Sequence, residues 1–154
     1  MGNSLSPVIA EVFMENLEEI AFAGVDITIK PRFFKRYVDD IFVVITNGKE
    51  DQFLEYLNSL FPEQISFTME KESNRTLPFL DALVIRHDEL VQTTVYRKAT
   101  QSERYLDFSS HHLHSVFRSV IKGVVDRAEK VCDHEFIQPE LQYITETLSK
   151  KRIP

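Results

Sequence analysis

Apolar residues near the start of the chain recur at the period of an α-helix: Val8, Ile9, Val12, Phe13, Leu17, Ile20 and Ala21 predict one buried face on a helix that runs to Gly24. Ser6-Pro7 marks its beginning, a hydroxyl suited to capping free N–H groups and a proline whose missing N–H costs nothing in a first turn. The period then shortens. Residues 33–37 and 41–45 read as two short strands around the tight turn Val38-Asp39-Asp40, closed by Asn47-Gly48. The second strand is apolar on both faces and is expected in the middle of a domain covered by helices. Phe53, Leu54, Leu57, Leu60 and Phe61 restore helical spacing from Glu50 until Pro62 stops it. Residues 65–70 alternate as a strand, and a polar loop leads to Leu77-Pro78-Phe79-Leu80-Asp81 and to strands at 82–86 and 90–96.

Past Arg97 a polar stretch with Tyr105, Leu106 and Phe108 precedes two more helical patterns. One is carried by Phe117, Val120, Ile121, Val124, Val125 and Ala128, the other by Leu141, Ile144 and Leu148 after Pro139. The order of elements predicts an α+β fold with an antiparallel sheet and helices over residues 1–96, and a small helical, helix-turn-helix subdomain over 97–154.

Composition refines this picture at three points. The 154 residues, 43% apolar, suffice for one core or two small ones. The net charge of -6 speaks against a nucleic-acid partner until it is divided: residues 1–94 hold 8 Lys/Arg against 16 Asp/Glu, and residues 95–154 hold 10 against 8. An acidic half suits a site that concentrates divalent cations; a mildly basic half suits contact with phosphates. The lone Cys132 excludes an internal disulfide and a cysteine-based zinc site. No apolar run reaches the roughly 18–20 residues that cross a bilayer, and the N-terminus lacks a secretory pattern, so an intracellular protein, nuclear or cytoplasmic, without a membrane partner is expected.

Adjacent aspartates at a hairpin tip repel one another, and a divalent cation removes the conflict, because Mg²⁺ takes hard carboxylate oxygens and completes its shell with water and substrate phosphates. An Asp-Asp pair by itself is weak evidence, since it is far more often a solvated turn. Here it stands in Tyr37-Val38-Asp39-Asp40 between two short strands, and upstream stands Gly2-Asn3-Ser4-Leu5-Ser6-Pro7 followed by a helix. Downstream follow Phe67-Thr68-Met69-Glu70, Leu77-Pro78-Phe79-Leu80-Asp81, Val95-Tyr96-Arg97-Lys98, Arg104-Tyr105-Leu106, Ser110-His111-His112 and Asp126-Arg127-Ala128. In this order the strings resemble the reverse transcriptase of Penelope-like retroelements, over nearly the whole chain.

The resemblance implies an RNA-directed DNA polymerase, in which a primer 3′ hydroxyl attacks a deoxynucleoside triphosphate opposite an RNA template under two-metal catalysis. Asp39 and Asp40 match the catalytic, metal-binding pair, with Mg²⁺ or Mn²⁺ expected only in the complete active site. Tyr37 and Val38 match the residues flanking the pair near the primer end. Gly2, Ser6 and Pro7 belong to the loop on the nucleotide side, where Gly2 would let backbone approach the ligand. Leu80 and Asp81 belong to a hairpin that grips the primer. Residues 1–96 then correspond to part of the palm and 97–154 to a thumb-like region, with Arg97, Lys98, Arg104, Arg118 and Lys122 as candidate phosphate contacts.

The family's first catalytic aspartate lies on a strand ahead of the glycine loop, and its fingers precede that strand. The chain is therefore expected to be a truncated copy, inactive alone, with an uncovered palm edge open to self-association. The alternatives are a non-catalytic nucleic-acid-binding remnant and an inert fragment. Ala99 and Leu113 stand where the family has proline. Lys71 reads as a solvated strand-end lysine, and His111, His112 and His114 as capping or nucleic-acid-contacting residues rather than zinc ligands.

Overall fold

A computed structural model describes residues 5–88, 90–98 and 113–150. The chain divides into two compact units, Met1–Glu70 and Lys71–Pro154, each of which is taken by itself. The architecture is α+β: four helices, a two-stranded sheet and a three-stranded sheet, both antiparallel, with the helical pair at the C-terminal end.

In the first unit the N-terminal apolar pattern forms α1 (Ser6–Gly24). The helix is entered through Leu5, with no side-chain cap, so Ser6 and Pro7 lie inside the first turn and the Ser6 hydroxyl does not cap it. Proline is accommodated there because first-turn N–H groups have no intrahelical acceptor. The buried face is narrower than the sequence period predicts. Met14, Leu17 and Ala21 are buried, whereas Val8, Ile9, Val12 and Ile20 are exposed. The apolar arc of α1 is wider than the elements packed against it can cover.

Those elements are α2 (Glu50–Leu60) and the hairpin of β1 (Phe33–Tyr37) and β2 (Asp40–Val44). Leu17, Ala21, Phe53 and Leu57 form the core, with Phe13, Phe34, Val43, Ile45 and Phe67 against it. The Phe22 ring meets the edge of Phe34 at 5.0 Å, so the hairpin is held to α1 by aromatic packing as well as burial. Strand β2 is not central, contrary to what its apolar run predicts: among the described residues β1 is its one sheet neighbour, and Val44 is exposed. After β2 the chain turns where Lys49 N–H donates to Thr46 C=O at 3.0 Å, and Gly48 takes the positive φ of 80° that such a turn requires.

The segment 65–70, read from its alternation as a strand, pairs with no strand among the described residues. Asn58 on α2 takes its place as partner: the side-chain amide donates to Phe67 C=O at 3.1 Å and accepts from Phe67 N–H at 2.7 Å. Both backbone groups of Phe67 are thereby satisfied without a neighbouring strand.

The second unit is a meander of β3 (Thr76–Phe79), β4 (Ala82–His87) and β5 (Leu90–Val95), with α3 (His114–Val131) and α4 (His134–Lys150). Pro78 is tolerated within β3 because β3 is an edge strand. Phe117, Ala128, Ile144 and Leu148 form the helical core. Pro139 lies inside α4 rather than ahead of it, because the helix already starts where Phe136 N–H donates to Asp133 C=O. The turn between the helices is fastened to β5 by residue 93. Asp133 N–H donates to Thr93 C=O at 2.8 Å, Thr93 N–H donates to the Asp133 carboxylate, and Thr93 Oγ1 donates to Val131 C=O at 2.6 Å.

Candidate functional site

The β1–β2 register pairs Tyr37 with Asp40, which leaves a two-residue loop, Val38-Asp39, at the tip. Two-residue hairpin loops need a positive φ, normally supplied by glycine, asparagine or aspartate. In this loop the residue with positive φ is Val38, at 57°. For a β-branched residue this conformation is strained, at a cost of about 1–3 kcal/mol, and it persists only when its surroundings enforce it. A similar loop joins β3 to β4, where Leu80 has φ 52° and Asp81 follows. Backbone strain alone therefore does not distinguish the first tip; its carboxylates do.

Asp81 is paired with Arg127 at 3.1 Å, and Arg127 also donates to Tyr96 C=O at 3.1 Å. Asp39 and Asp40, by contrast, are exposed and make no ion pair or side-chain hydrogen bond among the described residues. Their nearest sequence neighbour of opposite charge, Arg36, forms an ion pair with neither of them. Its side chain is 8% exposed and engages Glu11 and Glu18 on α1. The hydrogen bonds from Arg36 hold the Glu11 carboxyl below its ordinary value of 4.5, and the same bonds, to Glu11 first and then Glu18, raise the affinity of Arg36 for its proton.

Two adjacent, unneutralised carboxylates, one in the hairpin loop and one at the start of β2, suit a hard divalent cation that also takes water and phosphate oxygens. No group of three His, Cys, Asp or Glu side chains is placed to hold a metal among the described residues. The pair thus accounts for only part of a coordination shell.

The remaining sequence-derived candidates fall in three groups. Ser6 and Pro7 lie in the first turn of α1, and Tyr37 and Val38 adjoin the acid pair. Leu80 and Asp81 form the β3–β4 loop of the second unit. Arg97 donates to Glu140, with one contact at 2.9 Å, and lies 4.2 Å over the Tyr143 ring, so its guanidinium joins the end of β5 to α4. Lys98, Arg118 and Lys122 are exposed, the last two one turn apart on α3. Lys71 and His114 are exposed as well, His114 at the first position of α3. Gly2, Ala99, Arg104, His111 and His112 lie outside the described residues.

Sequence reasoning missed the roles of Arg36, Glu11, Glu18 and Arg127. Glu11 and Glu18 stand two helical turns apart and so share one stripe of α1, a pattern that marks a face prepared for a cation. For Arg127 no comparable signal exists; its Nε is buried and has no hydrogen-bond partner among the described residues.

Comparison with known families matches residues 104–152 to the Animal helix-turn-helix domain, a span that contains both α3 and α4. No curated protein and no solved structure matches the chain. No helix of the described residues is long and apolar enough to cross a membrane.

Proposed function

We propose that the chain is the metal-binding hairpin portion of an RNA-directed DNA polymerase of the Penelope-like kind, joined to a helix-turn-helix region that contacts nucleic acid. The observation that carries this reading is the unpaired acid pair Asp39-Asp40 on a tight, strained hairpin tip, in the Tyr-Val-Asp-Asp string that resembles the family's metal-binding turn. When bound there, Mg²⁺ or Mn²⁺ would neutralise charge on the transferring phosphoryl group and activate the primer hydroxyl.

The protein's own contribution is to hold two carboxylates side by side, facing solvent, where a primer end and a nucleoside triphosphate can approach. Tyr37 and Val38 are both exposed beside the pair, and in this reading they would contact the primer terminus. Since two carboxylates do not complete the shell, the remaining ligands are water, substrate phosphates and a carboxylate beyond the described residues. The chain alone is then a weak cation binder without polymerase activity.

Titration calorimetry with Mn²⁺ tests this. A weak site is expected in the wild type and none in Asp39→Asn/Asp40→Asn; equal heats from the two proteins would sink the reading. A second reading, nucleic-acid binding without catalysis, is favoured by the exposed pair Arg118 and Lys122 on α3 within the helix-turn-helix match. Binding of a primer–template duplex should weaken with salt, and Arg118→Gln/Lys122→Gln should lower the log–log salt slope by about 2, near 0.9 per lost phosphate contact. Binding that survives loss of both aspartates while the cation site is absent would leave this second reading alone.

A further inference from the structure

Arg36 occupies the fourth position of β1, on the strand face that also carries Phe34 and looks toward α1. All three nitrogens of its planar fork donate. Nη1 and Nη2 donate to the two oxygens of Glu11 at 2.8 and 2.9 Å, and Nε donates to Glu18. Nη1 donates in addition to the main-chain carbonyl of Val38 at 3.3 Å. That last contact is the one side-chain hydrogen bond to the Val38-Asp39 loop among the described residues. It lands on the residue whose backbone is strained.

A bidentate guanidinium has little freedom to move, since each carboxylate oxygen of Glu11 fixes one arm of the fork. Glu18, half-buried, fixes the Nε side. The helix therefore anchors the guanidinium, and the guanidinium anchors the loop. Such a chain of contacts supplies the enforcement that a β-branched residue at positive φ needs.

We propose that Arg36, held by Glu11 and Glu18, is a positioning residue for the Asp39-Asp40 pair: by fixing the Val38 carbonyl it sets the hairpin loop so that both carboxylates are presented together before any cation arrives. The proposal deepens the metal-binding reading given above and rests on it for its consequence. Its sign separates it from simple electrostatics. Removing a positive charge near a cation site favours cation binding, whereas loss of a group that orients the ligands weakens it, typically by roughly 10–100-fold.

The test uses the full chain with Arg36→Gln, Arg36→Lys and Asp39→Asn/Asp40→Asn. Because Arg36→Gln leaves the half-buried Glu18 carboxylate unpaired, Arg36→Gln/Glu18→Gln provides a neutral background that keeps the experiment decisive if the single variant unfolds. Heteronuclear ¹⁵N relaxation reports order at the Val38 and Asp39 amides, hydrogen exchange across the β1–β2 ladder reports the fold, and Mn²⁺ paramagnetic resonance reports affinity.

The expected result is loss of order at the tip, retained ladder protection, and Mn²⁺ binding weakened roughly tenfold or more in the glutamine variants. Lysine should fail to rescue, because it keeps the charge without the fork. Unchanged tip order, ladder protection lost in both glutamine variants, or, where the wild type binds Mn²⁺ through the aspartates, binding in the variants equal to or tighter than the wild type's would overturn the proposal. If Arg36 variants loosen the tip but the wild type binds no more Mn²⁺ than Asp39→Asn/Asp40→Asn, the metal reading fails while the positioning of the loop stands. If Mn²⁺ binds through the aspartates and every Arg36 variant matches the wild type, the positioning fails and the metal reading stands.

Discussion

Leu17→Ala removes the one large side chain that is fully buried among the described residues, at 0% exposure, from the core that joins α1 to α2 and supports the hairpin. Truncating a buried leucine costs the lost transfer energy plus a cavity term, together about 3–5 kcal/mol when the surroundings relax only partly. The neighbours here are Ala21, Phe53 and Leu57, and aromatic rings hold their shape, so the cavity should persist. The second unit has its own core of Phe117, Ala128, Ile144 and Leu148. The loss should therefore be local. In native-state hydrogen exchange, amides of α1, α2 and the β1–β2 hairpin should open at least about 100-fold more often, at ~1.4 kcal/mol per tenfold. Amides of α3 and α4 should exchange as in the wild type. A uniform loss of protection across both units, or a change below about 1 kcal/mol in the first, would refute the two-core reasoning.

Other outcomes follow from single contacts. Glu11 has a folded-state carboxyl below its ordinary 4.5, so its stabilising contribution is present above that value and declines as pH falls through the lowered one. Melting temperature measured against pH should show a shallower acid decline in Glu11→Gln than in the wild type. Thr93→Val removes the hydroxyl that donates to Val131 C=O and should cost about 1 kcal/mol in urea unfolding. Val38→Asn places a residue tolerant of positive φ in the hairpin loop and should raise stability by about 1 kcal/mol, read from the same denaturation curves.

The parts of the fold set by local pattern were legible from the residues alone. The bounds of α1 and α2, the two-strand hairpin around Val38-Asp39-Asp40 and the helical pair all follow from period and punctuation. What was not legible depends on pairing across the chain. Residues 65–70 alternate like a strand, yet the side chain of Asn58 takes the backbone groups of Phe67. Val8, Ile9 and Val12 keep helical spacing with the core residues of α1 but lie beyond the reach of α2 and the hairpin. Proline in α4 looked like a boundary because the contacts of Asp133 with Thr93 and Phe136, which start the helix earlier, join residues far apart or lie in the turn itself. At the candidate site the aspartates were visible as a string, whereas Arg36 and its two glutamates meet only after α1 and β1 pack.

The proposed function stands or falls on weak binding of a divalent cation at the Asp39-Asp40 tip. Its most direct test is paramagnetic broadening of ¹⁵N–¹H signals by substoichiometric Mn²⁺. The account requires that the amides of Val38, Asp39 and Asp40 broaden first, and that they stay sharp in Asp39→Asn/Asp40→Asn. Broadening that begins at other carboxylates, or that is the same in both proteins, would contradict it.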